Sequence, residues 1–223
     1  MLLRSMLYFP SNSIRMIVKA ATVPVDAAIF DLEDSVSIED KETARIFARD
    51  FIKLVKKRGI NTFVRVNSLK TGLTSEDLEL TVVQGLDGVM LAKAESGSDV
   101  VELDRMLNEA ERNSGLTSQS LKVIPLVESA KGIVNSFQIA SNSNRVVAIA
   151  FGAGDYYMDL GRDVTTISDD ELELLYARSH LVNASRAAGI QAIDTPFLGS
   201  LVDKEAFLRE VQLAVRVGFK GKQ

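Results

Sequence analysis

From Leu3 to Phe219 the chain alternates short apolar runs with longer stretches of helical periodicity, and no other feature restricts its fold as much. A strand followed by a helix returns to a parallel neighbour only by a crossover, so repeated strand–helix pairs build a parallel sheet with helices outside it. Strands are expected at Leu3–Phe9, Ala27–Asp31, Thr62–Val66, Gly88–Lys93, Lys122–Val127, Val146–Phe151 and Gln191–Thr195, with a last one beginning near Phe219. Between Asp40 and Arg58, Ala44, Phe47, Ala48, Phe51, Ile52 and Val55 recur at helical spacing. The longest helix is expected over Asp169–Ala188, with Ser168 as N-cap and Glu171 completing a capping-box spacing. Seven full strands and a truncated eighth predict a TIM (β/α)8 barrel. The alternative is an open doubly wound sheet, weakened because no Gly-x-Gly-x-x-Gly follows the first strand.

The 223 residues, 46% of them hydrophobic, suffice for one large core, so residues 1–223 are expected to form a single barrel domain. Against 30 acidic residues stand 26 basic ones, a net charge of −4 that offers nothing to hold a phosphate backbone, and nucleic acid is excluded as a partner. The absence of cysteine removes disulfides, thiolate nucleophiles and zinc knuckles, in keeping with a reducing cytoplasm. No apolar stretch reaches the roughly 18–20 residues of a membrane span, and Met1–Ser5 reads as a strand opening rather than a signal peptide.

In a barrel, functional groups gather where the strands end. Here those ends are polar: Asp31-Leu-Glu-Asp34, Arg65 and Asn67, Lys93, Glu128, Asp155 and Asp194. Glu128 and Asp155 follow the fifth and sixth strands, so neighbouring strands would bring their carboxylates to a common point. Hard divalent cations such as Mg²⁺ take one or two carboxylates, water and substrate oxygens in that way. Alternation within Phe63-Val-Arg-Val turns Arg65 inward, where a guanidinium must meet an anion. It reads either as a clamp on a substrate carboxylate or as a structural ion pair with Asp34 or Glu128. Arg4 lies at the wrong end of the first strand for rim chemistry. The one histidine, His180, falls mid-helix and is set aside as a general base. Gly152 and Gly154 would cradle a phosphate or permit a tight turn beside the metal-bearing strand end.

These residues together resemble a known family. Arg4-Ser5 with Leu7-Tyr-Phe-Pro-Ser11, Phe30-Asp-Leu-Glu-Asp-Ser35-Val, Val64-Arg-Val-Asn67, Pro125-Leu-Val-Glu-Ser-Ala-Lys-Gly132, Phe151-Gly-Ala-Gly-Asp155 and Ala192-Ile-Asp-Thr195 are similar, in order, to the β subunits of citrate lyase. The wider group includes malyl-CoA and citramalyl-CoA lyases and HpcH/HpaI-type aldolases. The resemblance implies a TIM barrel that cleaves citryl-CoA, or its acyl-carrier counterpart, into an acetyl thioester and oxaloacetate. It also implies that Glu128 and Asp155 hold Mg²⁺, that Arg65 and Glu128 contact the keto-acid, and that Asp34 either orients Arg65 or assists proton transfer.

An eighth strand that only begins at Phe219 would leave a barrel seam unpaired for another chain to cover, so a homo-oligomer is expected, by the same resemblance a trimer, with other citrate lyase subunits as further partners. Relatives continue beyond the segment matching Gly218–Gln223 into an extension that covers a neighbouring subunit's site and can supply an acidic catalytic residue. The general acid/base is therefore unassigned. Alternatives are a malyl- or citramalyl-CoA lyase or thioesterase, a pyruvate aldolase of HpcH/HpaI type, and a non-catalytic binding subunit of a larger complex.

Overall fold

A computed structural model describes residues 1–168, 170–200 and 202–223. Its eight strands are β1 (Met6–Pro10), β2 (Ala27–Asp31), β3 (Asn61–Val66), β4 (Gly88–Leu91), β5 (Lys122–Val127), β6 (Ala148–Phe151), β7 (Gln191–Asp194) and β8 (Gly221–Lys222). All pair in parallel in chain order, as a TIM barrel requires. The helices are α1 (Ile14–Ala20), α2 (Lys41–Lys56), α3 (Thr74–Thr81), α4 (Gly97–Asn113), α5 (Ala130–Val134), α6 (Ser136–Ser141), α7 (Ala153–Asp159), α8 (Leu175–Ala187) and α9 (Lys204–Val217). Among the described residues no helix is long and apolar enough to cross a membrane.

Strand alternation sorts the apolar residues into two layers. Met6, Ala27, Ile29, Phe63, Met90, Ile124, Leu126, Ala148, Ala150 and Ile193 fill the barrel interior. The intervening positions, among them Phe30, Val64, Val66, Val89, Val123 and Phe151, face the helices and pack with Ala44, Ala48, Ile52, Leu103 and Leu181. The inward series of several strands runs from apolar to polar in steps of two: Ile29 to Asp31, Phe63 to Arg65, Leu126 to Glu128. The interior is thus greasy below and ionic at the C-terminal rim.

Two expectations need correction. The truncated eighth strand does not leave an open seam: Gly221 and Lys222 pair with Ile193 and Asp194, Lys222 bridges to Ser5, and the Lys222 amide donates to the Arg4 carbonyl at 3.0 Å. Two residues close the ring because the backbone around them bonds to both sides, Lys220 and Gln223 donating to the Ala192 and Asp194 carbonyls while Lys222 donates to Arg4. The helix expected over Asp169–Ala188 starts instead at Leu175, after a 3₁₀ turn at Leu172–Leu174. Glu171 adopts a left-handed backbone (φ 50°) that a helix cannot continue through, and its carboxylate pairs with Arg178 instead of capping. Asp169 lies outside the described residues.

Candidate active site

Above the last apolar layer a cavity of about 410 Å³ opens at the C-terminal ends of the strands. Arg65 lines it, and the β2–β3 register places Asp31 directly opposite. Nε and Nη2 of Arg65 each donate to an Asp31 oxygen at 2.6 Å, a bidentate grip, while Nη1 lies 3.4 Å from Asp34 and 3.3 Å from Glu33. The guanidinium also sits 5.0 Å from the centre of the Tyr8 ring. Among the described residues it forms no ion pair with Glu128, so one of the two expected structural partners is replaced by Asp31. Burial opposes charge on Asp31, but the hydrogen bonds from Arg65 and Ser35 outweigh it and hold its pKa below the usual carboxylate value.

The turn that carries Glu33 and Asp34 is fastened from beneath. The buried Lys41 ammonium, at the start of α2, donates to the carbonyls of Leu32 and Glu33 at 2.6 and 2.7 Å and to Asn67 Oδ1 at 2.9 Å. Asn67 in turn donates to Leu32 O and to the buried Asp77. Asn67 is therefore a fastener of the rim and not a group facing the cavity.

Glu128 is 7% exposed and follows β5 at the inward position. A Cβ on Gly152 would fall 2.5 Å from its Cγ and 2.6 Å from Oε1, so only glycine leaves room for this carboxylate. The close approach, not a phosphate cradle, explains Gly152. Burial, with further help from Asp155, pushes the Glu128 pKa up to about 8, against the opposing pull of Arg65. Asp155 stands in the first turn of α7, four residues past β6, and lines the cavity with Asp34. Oxygens of Asp34, Glu128 and Asp155 all lie within 4.8 Å of one another.

Lys93, read only as a polar strand end, proves to be inside this cluster. Its Nζ is 2.5 Å from Glu33, 3.2 Å from Asp34 and 3.2 Å from Asp155, and its backbone N–H donates to Glu128 at 2.9 Å. Burial disfavours its charge, yet Glu33, Asp34 and Asp155 together raise its pKa. Asp31, Glu33, Tyr8 and Lys93 are thus the groups that sequence reasoning left without a role. The remaining residues fall elsewhere. Asp194 points outward from β7 to a buried pair with Arg178 (2.9 Å); Arg4 pairs with Asp26 at the opposite end; His180 rests beside Tyr176 on α8.

Five carboxyl groups, Asp31, Glu33, Asp34, Glu128 and Asp155, face two cations, Arg65 and Lys93. An ammonium already lies among three of them, and three of the five converge at ligand spacing. All-oxygen donors with surplus negative charge fit a hard divalent cation such as Mg²⁺.

A family model described as HpcH/HpaI aldolase/citrate lyase matches residues 4–223. Citrate lyase subunit beta of Haemophilus influenzae is 38% identical over 219 residues, 98% of this chain and 74% of that protein. Mitochondrial citramalyl-CoA lyase of Homo sapiens is 31% identical over 231 residues, 99% of this chain and 66% of that protein. The solved structure of CitE from Mycobacterium tuberculosis in complex with magnesium, acetoacetate and coenzyme A superposes with a TM-score of 0.81 at 31% identity, covering 99% of this chain and 75% of that one. With a barrel whose rim carries an acidic cluster and a family match that spans nearly every residue, this chain is an enzyme of the HpcH/HpaI aldolase/citrate lyase family.

Proposed function

We propose that this protein is a Mg²⁺-dependent carbon–carbon lyase that cleaves citryl-CoA, or a close 3-hydroxyacyl thioester, into acetyl-CoA and oxaloacetate. The observation that carries the reading is the convergence of Asp34, Glu128 and Asp155 beside an inward arginine that Asp31 has already oriented. The names of the relatives, a citrate lyase subunit and a citramalyl-CoA lyase, support a CoA-ester substrate.

Cleavage takes a proton from a tertiary alcohol and leaves an enolate on the departing thioester, so negative charge grows on both fragments. Mg²⁺, held by Glu128 and Asp155 with Asp34 nearby, would lower the pKa of the substrate hydroxyl and steady the emerging keto-acid oxygens. Asp31 occupies the side-on edge of the Arg65 fork, which leaves end-on N–H groups to grip a substrate carboxylate. Asp34, exposed at the mouth and 3.4 Å from Arg65, would orient that guanidinium or take the hydroxyl proton. Phe9, Pro10, Leu126, Ala153 and Leu198 supply an apolar wall that limits water near the enolate.

Incubation with citryl-, malyl- and citramalyl-CoA plus Mg²⁺ identifies the acyl group. A second assay follows deuterium exchange by NMR: the methyl of acetyl-CoA should exchange only with Mg²⁺ present, and faster with oxaloacetate. Exchange into pyruvate alone would overturn the lyase in favour of an aldolase, and exchange into neither would favour a binding subunit. In calorimetry Glu128→Gln and Asp155→Asn should weaken Mg²⁺ binding. Arg65→Lys should lower oxaloacetate affinity by roughly tenfold, about 1.4 kcal/mol, because a point ammonium cannot reproduce a planar grip. Unchanged affinities would reassign these residues to structure. By family resemblance the assembly is a homotrimer, and light scattering showing a monomer at micromolar concentration would refute that.

A further inference from the structure

Lys93 is one of three non-glycine residues with a positive φ among the described residues (φ 54°), a conformation glycine adopts at no cost. A lysine kept there points to a need for its side chain. The left-handed turn at the end of β4 lets one residue face two ways. Its N–H meets Glu128 while its ammonium reaches Glu33, Asp34 and Asp155, so a single residue touches four of the five carboxyl groups at the rim. Lys93 does not line the cavity, but its ammonium contacts Asp34 and Asp155, which do.

We propose that the Lys93 ammonium is a built-in counter-cation that stands in for the divalent ion in the metal-free protein and competes with it. The inference rests on the reading of Glu128 and Asp155, with Asp34 beside them, as a divalent-cation site. Without any cation the clustered carboxylates would repel one another, and the ammonium relieves this by bridging Asp34 and Asp155 at 3.2 Å each. A divalent ion that takes an oxygen from Asp155 beside Asp34 must displace that bridge or share it, in either case against the repulsion of a positive charge. Glu33, at 2.5 Å and nearly buried, offers the ammonium a resting place when the bridge breaks. Lys93 is thus a positioning residue whose charge sets metal affinity in a definite direction: removing it tightens binding. A lysine with a merely structural role would predict the reverse, because splayed ligands bind metal less well.

The test begins with calorimetric titration of the wild-type protein with MgCl₂. No binding there would sink the metal site itself, and this inference with it. Given binding, Lys93→Met should bind Mg²⁺ more tightly, on the order of tenfold, while Lys93→Arg, which keeps the charge, should stay near wild type. Thermal melts in chelator should show Lys93→Met less stable than wild type, with a larger gain on adding Mg²⁺. Equal or weaker Mg²⁺ affinity in a folded Lys93→Met would overturn the proposal. One measurement reads the native side chain directly: in wild-type protein carrying ¹⁵N-lysine, the Lys93 ammonium signal, assigned by its loss in Lys93→Arg, should shift or broaden as Mg²⁺ is added. A signal indifferent to saturating Mg²⁺ would refute the competition even if Lys93→Met failed to fold.

Discussion

Glu128 links protonation to stability and, if it holds Mg²⁺ as proposed, to metal binding. Its pKa, pushed from 4.5 to about 8 mainly by burial, means the folded metal-free protein holds a proton that the unfolded chain has lost between those values. The folded state then binds more protons than the unfolded one, so this contribution is complete below about pH 4.5 and is lost as pH rises through about 8. Melting temperature in chelator should therefore fall across that window, and Glu128→Gln should lack this component. Added Mg²⁺ should raise the melting temperature by more at the alkaline end, since it binds the ionised form. Circular dichroism melts check this, and equal pH profiles for wild type and Glu128→Gln would contradict it. The carboxylates and Arg65 were legible in the sequence because each ends a strand or opens the turn beyond it. Asp31 was hidden as a partner because register between strands cannot be read from one strand alone. Asp194 was misplaced for a reason the sequence did contain: Ile193 faces inward, so its neighbour must face the helices.

Among the elements, the two ends of the barrel divide the labour. The rim turns carry the acids, and fasteners such as Lys41 and Asn67 fix them from below. On the approach to β6, at the other end, Arg145 is 1% exposed and ties α4 to the start of that strand through Glu111 and Asp104, each at 2.7 Å. Removing one partner of such a buried pair leaves the other uncompensated, at a cost of about 3–5 kcal/mol. Arg145→Met should lower unfolding free energy in urea by that order while leaving Mg²⁺ affinity unchanged, because conservation of rim geometry does not depend on this end. A Mg²⁺ affinity that fell in step with stability would show the two ends to be coupled. Helical periodicity located α2 within two residues at each end, since its apolar stripe is regular. It misjudged the start of α8, where one left-handed residue, invisible to periodicity, interrupts the pattern.

At the scale of the whole molecule the barrel is unevenly joined. β2 and β3 share five register pairs, whereas β5 meets β6 over two beside one bridge, β8 meets β7 over two, and Lys222 of β8 meets Ser5, just before β1, through one bridge. The alternation of strands and helices foretold the ring, but not that so short a strand could close it. Closure also forms one wall of the cavity, where the Tyr8 hydroxyl meets Gln223 and the Gln223 amide donates to Phe151 O at 2.9 Å. In amide hydrogen exchange, Lys222 and Gln223, bonded to Arg4 O and Asp194 O, should lose protection by local opening well before Leu32, bonded to Arg65 O. Uniform exchange across all three would indicate a barrel that opens only as a unit. If Lys222 and Gln223 open first, the ring breathes as a split washer does, springing at the β7–β8–β1 joint while the arc from β1 to β5, joined by four or five pairs at each step, stays closed. A long, flexible ligand would be admitted by widening the Tyr8 side alone, while Glu128, following β5 at the far end of the closed arc, keeps its place beside the Lys93 amide.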